Sequence, residues 1–216
     1  MLTSYGLDME TIERKLRYMK NGVKLIYFTR ETHCIHCMEA GRLYESLASL
    51  THKIQFETVN FAIDVDKDKE FHIFAIPALA VLSLKDYGIR YYGHPQGQEL
   101  NHFLDDLVYI SRGLNSLPEE VNKRLASLNR KVNLKIFISP ICPYSLPAAK
   151  LGIKLAVACD NVSVDIINAT EFIEAARRNN VLGIPMTVVD ENESFYGALE
   201  PVEYVEAVLK RVVKEK

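Results

Sequence analysis

The stretch Cys34-Ile35-His36-Cys37 follows an apolar run of β-forming residues, and Pro77 of Ile76-Pro77 lies 43 residues after its first cysteine. The pattern occurs a second time. Cys142-Pro143-Tyr144-Ser145 also follows an apolar run, and Pro185 of Ile184-Pro185 again lies 43 residues beyond the first cysteine. The two copies are offset by 108 residues, which is half the chain. The sequence therefore predicts two structurally equivalent units.

Length and composition are those of a soluble globular protein. The 216 residues carry a formal net charge of -2, and 48% of them are hydrophobic. The length suits two domains of about 100 residues, and the near-neutral charge predicts no nucleic-acid partner. The most apolar stretch, residues 73–82, is too short to cross a bilayer, which needs roughly 20 residues. Residues 1–9 contain no signal-like pattern, so we expect a cytoplasmic protein without a membrane partner.

The same order of elements is predicted in both halves. Each unit has a leading helix, a strand, a helix that opens at the cysteine motif, a second strand, a short helix, a hairpin and a closing helix. Strands that alternate with helices imply parallel pairing, and the late hairpin adds antiparallel strands. Residues 111–118 have turn formers and no apolar period, which is typical of a linker. We expect an N-terminal unit at residues 1–115 and a C-terminal unit at residues 116–216.

The first cysteine motif is predicted to carry redox chemistry. At the start of a helix, backbone N–H groups without intrahelical partners and the helix dipole favour a thiolate at Cys34. Cys37 lies three residues on, on the same helix face and more buried, so it can resolve a mixed disulfide formed at Cys34. His36 can stabilise the Cys34 thiolate, which would raise the reduction potential to roughly -120 to -200 mV. The alternative for His36 is an exposed helix residue with little effect.

Other uses of the cysteine pair are less well supported by the sequence. A zinc site would need two more ligands; His33 and His36 are near, but no second Cys-x-x-Cys exists, and a helix start cannot easily wrap four adjacent ligands around one ion. Covalent haem would need a histidine directly after the second cysteine, where Met38 stands. We expect no metal and no prosthetic group. A non-redox binding module, in which the two cysteines are structural, stays open.

A strand, a tight loop and Cys-x-x-Cys opening a helix, with Ile-Pro before a later strand, resembles the thioredoxin fold. Two such units are similar to the glutaredoxin-like protein disulfide oxidoreductases, which have tandem thioredoxin folds. The resemblance covers essentially the whole chain. It implies the α/β class, with each unit a central mixed sheet flanked by helices. It also implies protein disulfides as substrates and a thiol reductase that recycles the enzyme.

The resemblance assigns a further role to the two Ile-Pro pairs. It implies that Pro77 and Pro185 follow cis peptide bonds and face the cysteine motifs. The backbone of Ile76 or Ile184 would then pair with an extended substrate segment, which is recognition by strand addition with little sequence specificity.

The second cysteine motif departs from the first, because Ser145 stands where a resolving cysteine would be. Cys142 could attack a disulfide, with Ser145 donating a hydrogen bond to its thiolate, but an outside thiol would have to release the product. The alternative is a degenerate repeat that shapes the substrate surface. Cys159 is predicted to be a core thiol.

The sequence thus predicts a thiol–disulfide oxidoreductase that acts on protein substrates through Cys34 and Cys37. The alternative is a dedicated electron-transfer module that passes electrons from a reductase to one partner, such as a peroxidase.

Overall fold

The computed structural model describes residues 7–32, 34–191 and 193–212. The chain divides into two compact units, and the boundary between them falls between Gly113 and Leu114.

The first unit is a four-stranded mixed sheet with helices packed around it. Its elements in chain order are α1 (Met9–Arg17), β1 (Val23–Thr29), α2 (Cys37–Ser49), β2 (Ile54–Asn60), α3 (Val65–Glu70), β3 (Ala78–Leu82), β4 (Asp86–Tyr92) and α4 (Gln98–Arg112). The strand order is β2-β1-β3-β4. Strand β1 pairs with β2 in parallel, while β1 with β3 and β3 with β4 are antiparallel.

The second unit repeats this architecture. Its elements are α5 (Glu119–Leu125), β5 (Val132–Ile138), α6 (Ser145–Ala158), β6 (Val162–Asn168), α7 (Ile173–Arg178), β7 (Met186–Val189), β8 (Glu193–Tyr196) and α8 (Pro201–Val212). The strand order is β6-β5-β7-β8, with the same parallel and antiparallel pairs. The predicted fold class, two tandem thioredoxin-like units each with a mixed sheet flanked by helices, is confirmed.

The central strands explain why helices cover the sheets. In β1, five of the seven residues are buried, and β5 is also mostly buried along its length. A strand that is apolar on both faces needs cover on both faces, and a parallel pair needs a crossover, usually a helix, to connect its strands. Helices α2 and α6 make these crossovers and carry the cysteine motifs at their starts. The sheet thus fixes where each motif lies.

The first and last helices of each unit are joined by an ion pair. Lys15 on α1 lies 2.5 Å from Asp105 on α4. Arg124 on α5 lies 2.8 Å from Glu206 on α8. The repeat therefore extends to the contacts that close each unit.

Two details of the sequence prediction are wrong. The linker does not begin at residue 111, because Ser111 and Arg112 are the last residues of α4, which ends where Gly113 adopts a left-handed φ of 59°. Ser111 is buried, and its hydroxyl accepts a hydrogen bond from the Lys20 N–H at 3.0 Å. Cys159 is not a core thiol: it caps the C-terminus of α6 and is half-exposed, since the chain leaves the helix there.

No helix among the described residues is both long enough and apolar enough to cross a membrane.

Candidate functional site

The cysteines of the first motif form a disulfide. Cys34 and Cys37 are bonded, with their Cα atoms 5.4 Å apart. Helix α2 begins at Cys37, not at the first cysteine, and His36 is its N-cap residue. Cys37 is only 4% exposed because it lies on the buried face of α2, whereas Cys34 is half-exposed in the turn before the helix. One sulfur can therefore be reached from solvent and the other is held behind it, the arrangement that thiol–disulfide exchange requires.

A buried phenol holds the start of this helix. The hydroxyl of Tyr27 on β1 donates a hydrogen bond of 2.6 Å to the carbonyl oxygen of Cys37. Its ring contacts Tyr44 on α2 in a T-shaped arrangement, with the centroids 5.3 Å apart. The sequence analysis missed Tyr27. The available signal was a tyrosine within a mostly apolar strand, since a buried Tyr hydroxyl needs a polar partner.

Both Ile-Pro peptide bonds are cis, as the resemblance implies. Pro77 and Pro185 are buried, and each of their carbonyls accepts a hydrogen bond from a glycine N–H of the same unit, Gly93 at 3.2 Å and Gly197 at 2.9 Å. These bonds tie each proline to the residue that follows the neighbouring hairpin strand. The isoleucines before the prolines, Ile76 and Ile184, are half-buried.

In the second unit the structure brings the cysteine and the Ile-Pro pair together. Cys142 is a half-exposed free thiol whose Sγ donates to the carbonyl oxygen of Ile184 at 3.5 Å. The predicted closeness of this motif to Ile184-Pro185 is thus seen directly.

Ser145 occupies the position that Cys37 has in the first motif. It is the first residue of α6 and is completely buried. Its hydroxyl oxygen accepts a hydrogen bond of 3.1 Å from the N–H of Ser139, which follows β5. The hydroxyl therefore closes the turn that carries Cys142.

A cluster of two histidines and a glutamate lies beside the first motif. The rings of His36 and His94 stack with their centroids 6.2 Å apart, and His36 Nδ1 lies 3.9 Å from Glu39 Oε2. His94 is 3% exposed, and the side-chain nitrogen of Gln96 lies 3.1 Å from its Nδ1. Burial lowers the pKa of His94; the charge of Glu39 opposes this and that of His36 adds to it. His33, considered above as a metal ligand, lies outside the described residues.

Sequence reasoning missed Glu39 and His94. His94 comes from the loop between β4 and α4, directly after Gly93, whose φ is 120°. No spacing rule connects a residue of that loop to the start of α2, so only the fold could reveal the contact.

Exposed apolar side chains lie close in sequence to both motifs. In each unit two such residues flank or interrupt the cysteine motif, and a third stands two positions before the Ile-Pro isoleucine. They are Ile35, Met38 and Phe74 in the first unit and Ile141, Tyr144 and Leu182 in the second. Ile35 and Ile141 are 90% and 91% exposed.

Comparison with known proteins agrees with this geometry. Residues 132–210 match the family model of the thioredoxin domain. A thioredoxin of Methanocaldococcus jannaschii is 33% identical over 84 residues, which cover 38% of this chain and 98% of that protein. A protein disulfide oxidoreductase from Aeropyrum pernix has a similar structure, with a TM-score of 0.83 at 20% identity over 97% of this chain and 96% of that one.

A second solved structure is similar to the same extent. The NTD_N/C domain of the alkylhydroperoxide reductase AhpF from Enterococcus faecalis gives a TM-score of 0.83 at 20% identity, covering 92% of this chain and 96% of that one. At this level of identity both structural likenesses establish the fold. The two units and the cysteine pair at a helix start define a thiol–disulfide oxidoreductase. The chain belongs to the thioredoxin family.

Proposed function

We propose that Cys34 and Cys37 exchange disulfides with protein substrates. The observation that carries this proposal is the Cys34–Cys37 disulfide, in which the outer sulfur is half-exposed and the inner one is buried at the start of α2. Cys34 is the nucleophile because a substrate disulfide can reach it. Cys37 is the resolving residue because only a neighbouring sulfur can reach it.

The exchange takes place in two steps. In the first, the Cys34 thiolate attacks one sulfur of the substrate disulfide, a mixed disulfide forms, and the other substrate sulfur leaves as a thiolate. In the second, the Cys37 thiolate attacks the Cys34 sulfur, which forms the Cys34–Cys37 disulfide and releases the second substrate thiol. Two electrons pass from the enzyme to the substrate. A thiol reductase then returns two electrons to the enzyme, and we propose such a reductase as its recycling partner.

We propose that His36 raises the reduction potential of the Cys34–Cys37 pair. It is the N-cap residue between the two cysteines, and its side chain makes no capping hydrogen bond. An imidazole there favours the reduced form, because it stabilises the thiolate that reduction creates. Replacing it should therefore make the site less oxidising.

Protein substrates are supported by the surface around the motif. Ile35, Met38 and Phe74 are exposed apolar side chains; Ile35 follows Cys34, Met38 follows Cys37, and Phe74 stands two residues before Ile76. Exposed apolar groups at a reactive site suit a polypeptide better than a small polar thiol. We propose that the backbone of Ile76 pairs with an extended segment of the substrate next to Pro77. We propose that the backbone of Ile184, next to Pro185, pairs with a substrate segment in the same way at the second motif. Cys142 and Ser145 form the protein's second candidate site.

The cytoplasmic location remains a prediction.

The test compares single serine variants in the reduction of insulin. Cys34→Ser should lose turnover, and Cys37→Ser should accumulate a mixed disulfide at Cys34 that mass spectrometry detects. Cys142→Ser should keep full turnover, and Cys159→Ser is the matched control at the other end of α6. Full activity of Cys34→Ser, or loss of turnover in Cys142→Ser, would contradict the proposal.

A second candidate function is supported by the likeness to the alkylhydroperoxide reductase domain. In it the protein passes electrons from a reductase to one dedicated partner such as a peroxidase. The same chemistry would operate at Cys34 and Cys37, but the partner would be recognised specifically. Reduction of insulin at a rate similar to that of general disulfide oxidoreductases would contradict this candidate, whereas activity confined to one peroxidase would support it.

A further inference from the structure

The three side chains of the cluster at the start of α2 suggest a use beyond disulfide exchange. We propose that His36, Glu39 and His94 bind a divalent transition-metal ion of the Zn²⁺ class. Each side chain offers one ligand atom, and these atoms lie within 4.8 Å of one another. This donor set differs from the four adjacent residues considered in the sequence analysis, because His94 comes from a separate loop.

The distances fit a tetrahedral ion after small side-chain movements. Bonds of about 2.0–2.1 Å from zinc to nitrogen or oxygen place two tetrahedral ligands about 3.3 Å apart. His36 Nδ1 and Glu39 Oε2 are already 3.9 Å apart. The Glu39 side chain is 58% exposed, so rotation about its own bonds can close the gap between these two atoms without moving the backbone. The largest separation in the cluster, at most 4.8 Å, has to shorten by about 1.5 Å.

The fold positions the donors before any ion binds. His36 and Glu39 stand three residues apart at the start of α2, a spacing that places them on one side of a helix. His94 is buried, and Gln96 contacts its ring at Nδ1. If the Gln96 amide is turned by 180°, its oxygen can accept an N–H from Nδ1, which leaves Nε2 of His94 for the ion, and such a partner is usual for a liganding imidazole.

The chemistry of the donors selects the class of ion. Two imidazoles and one carboxylate are three protein ligands, which is the composition of open zinc sites with a fourth position for water. Imidazole favours zinc, copper and nickel, whereas Mg²⁺ and Ca²⁺ prefer oxygen ligands. The positive end of the helix dipole opposes a cation at this place, and the Glu39 carboxylate offsets that repulsion. The affinity should therefore be lower than that of a closed four-ligand site.

The experiment measures Zn²⁺ binding by calorimetry to the oxidised full-length protein. Oxidation keeps Cys34 and Cys37 in their disulfide, and Cys142→Ser with Cys159→Ser removes the free thiols, so no sulfur can bind the ion. We expect one Zn²⁺ per chain, with no displacement by a large excess of Mg²⁺. His36→Asn and Glu39→Gln should each weaken binding about tenfold or more.

The matched control is His52→Asn. His52 is an exposed histidine beyond the other end of α2, and its replacement should leave the affinity unchanged. Absence of binding, or equal affinity in the His36→Asn, Glu39→Gln and unsubstituted proteins, would overturn the proposal. Because no turnover is measured, the result does not depend on whether Cys34 is the working nucleophile.

Discussion

The two cysteine motifs occupy equivalent places in two equivalent units, and they differ in what their fourth residue does. Cys37 is buried and bonded to Cys34. Ser145 is equally buried, but its oxygen accepts the N–H of Ser139 and closes the turn before α6. The position behind the first cysteine is thus a fixed feature of the fold. A sulfur atom at that position, in Cys37, gives a redox pair of two thiols. An oxygen atom there, in Ser145, leaves Cys142 as a single thiol in a similar fold.

The two units also differ in the strand side chain that packs against the helix of the cysteine motif. In the first unit, Tyr27 is the fifth residue of β1 and donates its hydroxyl to the carbonyl of Cys37. In the second unit, the fifth residue of β5 is Ile136, which has no hydroxyl and packs beside Gly152 of α6. The start of this helix is therefore held by a phenol from the central strand in the first unit and by the hydroxyl of its own first residue, Ser145, in the second.

The largest effect is expected from giving the second unit a resolving thiol. In the Cys34→Ser/Cys37→Ser background, Ser145→Cys should create a second redox pair with Cys142, because residues three apart at this helix start form a disulfide in the first unit. Oxidation should remove two free thiols, and insulin reduction should rise from background to measurable turnover. Thiol titration and mass spectrometry check the first point.

The matched control for this experiment is Ser145→Ala in the same background. It loses the same hydrogen bond from Ser139, at a cost of about 1 kcal/mol, but it cannot form a disulfide. If the Ser145→Cys variant kept both thiols free under oxidising conditions, the two helix starts would not be equivalent in geometry.

A medium effect is expected from the packing beneath α6. A Cβ at Gly152 would lie 2.4 Å from Cδ1 of Ile136 and 3.0 Å from Cγ2 of Val164. Overpacking of this kind costs about 1–3 kcal/mol, and the better helix propensity of alanine returns up to about 1 kcal/mol. Gly152→Ala should therefore lower the free energy of unfolding by about 1 kcal/mol, measured by urea denaturation.

Two further variants sharpen this comparison of the units. Ile136→Val removes the clashing Cδ1, so the double variant should be more stable than the sum of the single changes predicts. Gly41→Ala in the first unit places its Cβ 3.1 Å from Cε1 of Tyr27, a smaller overlap, and should change stability by less than Gly152→Ala. Strict additivity of Gly152→Ala and Ile136→Val would show that the contact with Ile136 carries no cost.

The sequence predicts the strands well because their ends are marked locally. Strands β1 and β5 run over the predicted residues, Val23–Thr29 and Val132–Ile138, since an apolar run stops at turn-forming residues. Helix starts are predicted less well. Helix α2 begins at Cys37 and not at Cys34, because the residues of the capping turn are not yet helical.

The site is predicted only where its residues are close in the sequence or repeat at a fixed spacing. The Cys34–Cys37 pair and both cis prolines follow from such spacings and the resemblance they support. Tyr27 and His94 reach the site from a strand and from a distant loop, so their contacts depend on packing that no local pattern records. The burial of Ser145 likewise depends on the turn that Ser139 forms.

The smallest expected effect on the free energy of unfolding comes from charged pairs near the two hairpins. Burial tends to raise the pKa of Asp86, but two hydrogen bonds from Arg90, at 2.9 and 2.6 Å, outweigh it and hold the pKa below its ordinary value of 3.8. A carboxyl whose folded pKa is lowered stabilises the fold above its unfolded pKa and loses that contribution as the pH falls through the folded value.

Asp86→Asn should therefore destabilise the protein at pH 7, and this effect should shrink as the pH falls below about 3.9, the pKa of an unfolded aspartate. The expected difference is less than about 1 kcal/mol, because the Asp86 side chain is 35% exposed and solvent screens the pair. Urea denaturation at several pH values measures it. In the second unit, the hydrogen bond from Lys135 lowers the pKa of Glu191, but that glutamate side chain is 72% exposed. Glu191→Gln should thus show a smaller change than Asp86→Asn at every pH, and an equal or larger change would mean that burial does not set the strength of these pairs.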